Sequence, residues 1–200
     1  MWPWEHVLFA YVCYSSYGHL RWRKRPDDTP TAALAFGAVL PDLIDKPLAW
    51  QFGVFESGRA LAHSVFVVVP VVAAVFLYAK RHGHGSIGAA YGIGHLLHIA
   101  GDVLPASLGS GGLDLTPMLW PIASSPQGAD LTSTSLLDGA LSLLVGYVAK
   151  IATLSLTPAI GLQIGSLLIG LVLWASDGFP GPGFFVEWVR AGRRRASHRR

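Results

Sequence analysis

The sequence predicts an all-α protein, a polytopic membrane helix bundle of about five to six apolar segments. Hydrophobic residues make up 52% of the 200 residues and charged residues only 14%, whereas soluble domains carry about 25% charged residues. The mean hydropathy is +0.44. Because the apolar residues gather in several long runs, the chain is expected to use a membrane as its solvent rather than to build a large soluble core.

The segments differ in how clearly they meet the length of about 20 apolar residues that a spanning helix needs. Residues 63–79 and 159–175 meet it best. Four more polar runs are also expected to be helical, because Gly and Pro count less against a membrane helix than against a soluble one; they are 5–20, 31–50, 86–104 and 136–156.

The segments form one predicted domain. The chain length fits a single integral-membrane helical domain over residues 1–180, with its motif-bearing part at 1–122 and a basic tail at 181–200. The connection 105–135 is rich in Gly, Ser and Pro and contains no Lys or Arg, so it predicts an irregular loop.

Basic residues cluster at 21–25, 80–84 and 190–200. Such clusters can bind nucleic acid, but in an apolar chain the positive-inside rule explains them better. We therefore expect a multi-pass protein of the cytoplasmic membrane with lipids, and no nucleic acid, as partners. Six crossings would leave the basic tail outside, so either one late segment does not cross or Lys150 marks a shorter, re-entrant passage.

Ionisable residues stand near particular ends of the first four segments. His6 opens the first, Asp42 and Asp45 lie near the far end of the second, His63 opens the third, and His98 and Asp102 lie near the far end of the fourth. Alternating spans bring these ends to one membrane face, whichever way the protein is inserted. The positive-inside rule makes that face extracytoplasmic.

These residue types form a ligand set for a divalent metal ion. Buried ionisable groups in a membrane are costly and are usually paired or functional. Imidazole and carboxylate ligands suit zinc first, with manganese or iron as alternatives. Cys13 is the only cysteine, which excludes a site built from several thiolates. A metal ion can activate water for hydrolysis, and a remaining carboxylate can act as general base.

Each motif also has a structural explanation. Pro41 and Pro47 can end a helix and Asp42 can cap the next turn, while His63 can simply begin a helix. His98 and Asp102, four residues apart, can satisfy each other within a bundle. The joint pattern over four segments favours a metal or catalytic site. His95 is expected to support the ligands, and His19 to lie at the opposite face.

The order of motifs resembles that of a known family. EHVLFA, LPDLIDKP, GRALAHS, GHLLHIAGDVLP and MLWP follow one another over residues 1–122. This order is similar to the LexA-regulated, inner-membrane metal-dependent hydrolases (YdjM-like) and their archaeal relatives. The matching positions are His6, Pro41, Asp42, Arg59, His63, Ser64, His98, Asp102, Trp120 and Pro121.

The chain departs from this family's pattern at three positions. Asp45 comes one residue later than a Pro-Asp-x-Asp motif would place it, Ala62 replaces a threonine, and Gly58 replaces a histidine often found there. The His-x-x-x-Asp spacing also resembles part of the zinc cluster of phospholipase C and related nucleases, which implies phosphoester substrates. Their later His-x-x-x-Glu motif has no counterpart here.

The resemblance implies a membrane-bound metal-dependent hydrolase acting on phosphoesters or phospholipids. In this hypothesis, Asp45 is a ligand or general base, and Arg59 stabilises anionic charge on the substrate. The metal ligands are His6, Asp42, His63, His98 and Asp102. The alternatives are a non-enzymatic membrane metal-binding or ion-transport protein, and a structural protein whose polar residues only join helices.

Overall fold

The computed structural model describes residues 2–123, 136–152, 157–184 and 189. Within these ranges the chain forms six α-helices and two short 3-10 helices, with no strand. The all-α prediction is confirmed for this part of the chain. The α-helices are α1 Pro3–Trp22, α2 Asp28–Trp50, α3 Val65–Arg81, α4 Gly85–Ser110, α5 Leu136–Ala152 and α6 Pro158–Ser176.

Each helix overlaps one of the six apolar segments. α2 continues through Pro41 and Pro47 to Trp50, so PDLIDKP is not a helix end. α4 extends to Ser110, beyond the predicted start of the loop. The rest of the predicted loop contains a 3-10 helix at Thr116–Met118 and turns up to residue 123, and its remainder lies outside the described residues.

The centre of the fold is the crossing of α2 and α4, which two glycines make close. A Cβ on Gly94 would lie 2.1 Å from the backbone oxygen of Leu34, and a Cβ on Gly37 would lie 2.2 Å from that of Tyr91. No larger residue fits at either position, which is the small-residue packing typical of membrane helices. This contact fixes where the ends of α2 and α4 lie relative to each other along the bundle.

α6 runs parallel to α1. Gly170 lies against Leu8, and about two turns later Asp177 reaches the last turns of α1. The Asp177 carboxylate accepts hydrogen bonds from Tyr11 Oη at 2.6 Å, Ser15 Oγ at 2.6 Å and His19 Nε2 at 2.7 Å. We call these four residues the Asp177 cluster. His19 therefore lies toward the end of α1 away from His6, as the sequence predicts.

Many large apolar side chains of the outer helices are exposed. In α3 the only buried residue is Val68, while Phe66, Val69 and Leu77 are more than half exposed. By length and composition alone, α4 and α6 could each cross a membrane. The buried core itself consists mainly of small residues together with Tyr11 and Leu34.

Candidate metal centre

The structure brings the five predicted ligands together at one end of the bundle. His6 comes from the second turn of α1, Asp42 from α2, His63 from a 3-10 helix at Leu61–His63, and His98 and Asp102 from α4. None of these residues is more than 6% exposed. The candidate ligands form two groups of three. Within each group, one ligand atom per residue lies within 4.8 Å of the other two; the groups are His6, His98 and Asp102, and Asp42, His63 and His98.

Hydrogen bonds fix the tautomers of two of the imidazoles. His98 Nδ1 lies 2.6 Å from the backbone oxygen of Ala38, which can only accept, so Nδ1 carries the proton. His63 Nδ1 likewise donates to Asp45 Oδ2 at 2.8 Å. In the neutral rings, both Nε2 atoms are therefore acceptors, and they face each other at 3.0 Å.

Carboxylate oxygens surround these Nε2 atoms. Asp42 Oδ1 lies 3.7 Å from His63 Nε2 and 3.8 Å from His98 Nε2. Asp102 Oδ2 lies 3.6 Å from His63 Nε2, and Asp102 Oδ1 lies 3.5 Å from His6 Nε2. The ring of His6 stacks on that of His98 at 3.8 Å, and its buried Nδ1 has no hydrogen-bond partner among the described residues. The arrangement is a group of acceptors directed at a common space.

Two cationic side chains hold the outer edges of these carboxylates. Arg59 donates from Nε to Asp102 Oδ2 at 2.7 Å and from Nη2 to Oδ1 at 3.1 Å, which is bidentate pairing. Burial acts to lower the pKa of Arg59, but the neighbouring Asp102 outweighs it, so the pKa is raised and the guanidinium stays charged. Lys46 Nζ lies 2.5 Å from Asp42 Oδ2. Arg59 is thus hydrogen-bonded to Asp102, one of the predicted ligands.

Asp45 lies behind His63, on the Nδ1 side of its ring, which points away from the other predicted ligands. Its oxygens accept hydrogen bonds from the backbone N–H groups of Ala60, Ala62 and His63 as well as from the His63 ring, and the residue is fully buried. With these acceptor sites engaged, the geometry does not support a ligand or a general base. Asp45 instead holds the 60–63 backbone and orients His63, as carboxylates behind metal-binding histidines do.

His95 and Ser64 support the same segment. His95 Nε2 donates to the backbone oxygen of Ala62 at 3.0 Å, while Tyr91 Oη approaches its Nδ1 at 3.2 Å. Ser64 begins α3 without a side-chain capping bond, and its Oγ donates to the backbone oxygen of Trp120 at 2.5 Å. The Leu-Trp-Pro element is therefore held against the residue that follows His63.

Two further residues of this end of the bundle are missing from the sequence-based set. Lys46 follows Asp42 by four residues in a helix, and this spacing is a signal that could have identified it. Glu5 is fully buried, accepts from the backbone N–H of Trp2 at 2.7 Å, and accepts from Tyr147 Oη at 2.8 Å. Tyr147 is 142 residues away in sequence, so no local pattern indicates this contact.

Comparison with known proteins gives one finding. A family model described as "YdjM inner membrane protein" matches residues 1–178. No curated protein and no solved structure matches this chain. The matched range contains all five predicted ligands together with Asp45 and Arg59, and its inner-membrane description agrees with the two helices that could cross a bilayer. The chain therefore belongs to the YdjM inner membrane protein family.

Proposed function

We propose that this chain is a membrane-bound, metal-dependent hydrolase. The observation that carries the proposal is the pair of Nε2 atoms on His63 and His98, which face each other at 3.0 Å while both rings donate from Nδ1 to other partners. Two acceptors at this distance repel each other unless a cation lies between them. A divalent metal ion is the cation that also suits the carboxylates beside them.

The donor set fits zinc best, with manganese or iron as alternatives. Ligand atoms around a tetrahedral zinc ion with bonds of about 2.1 Å lie about 3.4 Å apart. The separations among the Nε2 and carboxylate oxygen atoms run from 3.0 to 3.8 Å. The ligands would be drawn from His6, Asp42, His63, His98 and Asp102, whose atoms form two groups of three that share His98.

The surrounding charges favour an anionic substrate. Among the charged side chains that contact the imidazoles and carboxylates of the centre, Asp42, Asp45 and Asp102 are opposed by Lys46 and Arg59, so a divalent ion would change their summed charge from minus one to plus one. Such a centre favours the negative charge of a phosphoester in its transition state. Lys46 and Arg59 are placed to bind phosphate oxygens while they remain close to their carboxylates.

The reaction that suits this centre is hydrolysis of a phosphoester. A divalent ion supplies Lewis-acid activation of water near neutral pH. A bond forms between the water oxygen and phosphorus, the bond from phosphorus to the leaving oxygen breaks, and one water proton ends on the alcohol product. Asp45 and the Ala38 carbonyl keep His63 and His98 aimed at the centre throughout.

We infer five membrane crossings, by α1, α2, α3, α4 and α6. α6 runs parallel to α1, so it begins at the same face as α1, which is also the face where α4 ends. α5 therefore starts and ends at that face and does not cross. This direction of α6 leaves its end on the same side as the clusters at 21–25 and 80–84, and basic residues that follow α6 in the sequence are then in keeping with the positive-inside rule. The metal centre then lies at the extracytoplasmic face.

The test is a hydrolysis screen of the purified chain in detergent on phosphodiesters, phosphomonoesters and carboxylic esters, with and without chelator. We expect phosphoester hydrolysis that the chelator abolishes and added zinc restores. His63→Ala should lose it, whereas the exposed His84→Ala should keep it. Chelator-insensitive activity, or no hydrolysis in any class, contradicts the proposal; bound metal without hydrolysis would favour metal binding or ion transport instead.

A further inference from the structure

A cavity of about 840 Å³ adjoins the metal centre. Its walls come from the start of α1, the second half of α2, the end of α4, and parts of α5 and α6. This volume lies within the range of about 300–1,000 Å³ of small-molecule sites. Asp42 lines the cavity and is also a predicted ligand, so a molecule in the cavity can reach the metal centre directly.

One end of the cavity is charged. Lys46 and Arg59 line it beside Asp42, and among the described residues they are the only Lys and Arg that do so. Both lie within hydrogen-bond distance of the carboxylates of the centre. An anionic group at this end would therefore meet two cationic side chains at the edge of the metal site.

The remaining wall is mainly apolar and aromatic. Val39, Leu43, Leu143 and Ile160 face it from three helices, and Trp50 closes it near the charged end. Such a wall excludes water and suits a hydrocarbon chain. The cavity thus combines a cationic end with a hydrophobic body, which is the chemistry of an amphiphile with an anionic head group.

We propose that the cavity holds the hydrocarbon chain of a lipid phosphoester and presents its phosphate to Lys46, Arg59 and the metal ligands. This inference deepens the proposed function by naming its substrate class, and rests on that function for the chemical step. Binding of the lipid depends only on the cavity and its charged end. The two proposals can therefore fail separately.

The test measures binding through the tryptophans that line the cavity, Trp2 and Trp50. The probe is dodecyl phosphate with bromine on a chain carbon close to the phosphate, because bromine quenches nearby indole fluorescence and Trp50 lies near the charged end. We expect saturable quenching of the detergent-purified chain that falls in Trp50→Phe. Unlabelled dodecyl phosphate should compete, whereas inorganic phosphate at the same concentration should not. Brominated dodecanol, which lacks the phosphate, should bind more weakly.

A pair of glycine variants separates the cavity from general effects. Gly146 lines the cavity and a Cβ there meets no atom within 4 Å, so Gly146→Leu adds bulk without a backbone clash. Gly161 on α6 is equally open but does not line the cavity, so Gly161→Leu is the matched control. Displacing about two methylene groups of the chain should weaken probe binding about tenfold in Gly146→Leu, and Gly161→Leu should bind as the wild type does.

The outcomes decide between the two proposals. Equal affinity in Gly146→Leu and Gly161→Leu, or equal binding of the alcohol and the phosphate, overturns the lipid inference. Full competition by inorganic phosphate would show that only the head group is recognised, and also overturns it. Chelator-sensitive hydrolysis of short phosphodiesters would then still support the hydrolase. Binding of the probe in the cavity without hydrolysis of any substrate would instead support the lipid site and contradict the proposed hydrolase.

Discussion

Two clusters of polar side chains, each around a buried carboxylate, lie toward opposite ends of α1, and they differ in their balance of donors and acceptors. In the Asp177 cluster, Tyr11, Ser15 and His19 all lie within 2.7 Å of one carboxylate, so each donor meets an acceptor. At the metal centre, the Nε2 atoms of His63 and His98 face each other as acceptors. Asp177, Tyr11 and Ser15 are as buried as the predicted ligands, whereas the His19 side chain is 40% exposed, so burial of the carboxylate does not distinguish the two clusters.

The comparison suggests a rule for interpreting polar residues within apolar helices. A cluster whose donors and acceptors match is complete in itself and joins helices, as Asp177 joins α6 to α1. A cluster with surplus acceptors needs a cation, and its surroundings show which atoms are directed at that cation.

The largest effect is expected from His98→Ala. His98 belongs to both groups of candidate ligands, so its removal takes a ligand from either arrangement of the ion. Elemental analysis of the purified chain should find bound metal in the wild type and none in the variant. Asp177→Asn is the control at the complete cluster and should keep the metal. Equal metal content in His98→Ala and the wild type would refute the site.

A smaller loss is expected from Asp45→Asn. The amide keeps the shape of the carboxylate but weakens its hold on His63 Nδ1 and on the backbone of Ala60 and Ala62. Metal affinity, measured by competition with a chelator, should fall about 10–100-fold. Activity at saturating metal should largely return. If activity stays lost at full metal loading and unchanged affinity, Asp45 is the general base after all.

Asp45 and Lys46 show how far sequence alone can predict this site. Alternating helices imply that His6, Asp42 and Asp102 meet at one face, whatever the details of packing. The role of Asp45 instead depends on the path of the 60–63 backbone, which wraps around its carboxylate and has no periodic pattern. Lys46 stands at a helical spacing from Asp42 and was predictable.

The fold shows the same division between features that the sequence predicts and features that depend on contacts between distant residues. The six helices follow from apolar runs, because length and hydropathy are local properties. The direction of α6 is not local, since it depends on whether α5 crosses, and the contacts that settle it link Gly170 to Leu8 and Asp177 to Ser15. The close approach of Gly37 to Tyr91 is not predictable either, because a single glycine in an apolar run does not indicate which helix it touches.

Asp177→Asn is expected to weaken the fold and leave the metal centre unchanged. An amide at this position presents an N–H₂ group where the native carboxylate only accepts, so at least one of the three donors loses its partner. The free energy of unfolding should fall by about 1–3 kcal/mol, measured by denaturant unfolding in detergent. Glu56→Gln, an exposed residue that also loses one negative charge, is the control. A large loss of metal from Asp177→Asn would contradict the separation of the two clusters.

The smallest effect is expected from Ser15→Ala, and its pH dependence identifies the cause. Burial acts to raise the pKa of Asp177, but hydrogen bonds from Ser15, Tyr11 and His19 outweigh it, so the pKa lies below its ordinary value of 3.8. The stabilisation from a lowered carboxyl pKa is present above 3.8 and is lost as the pH falls through the folded-state pKa.

Removing the Ser15 hydroxyl should bring the pKa of Asp177 closer to its unfolded value. The wild type should therefore exceed Ser15→Ala in unfolding free energy by about 1 kcal/mol at neutral pH. This difference should shrink as the carboxylate protonates, in a series of unfolding measurements that extends below pH 3.8. A difference that stays constant with pH would mean that Ser15 stabilises the α1–α6 contact by packing rather than through the carboxylate. The match of donors to acceptors, which distinguishes the Asp177 cluster from the metal centre, would then not be the source of its stability.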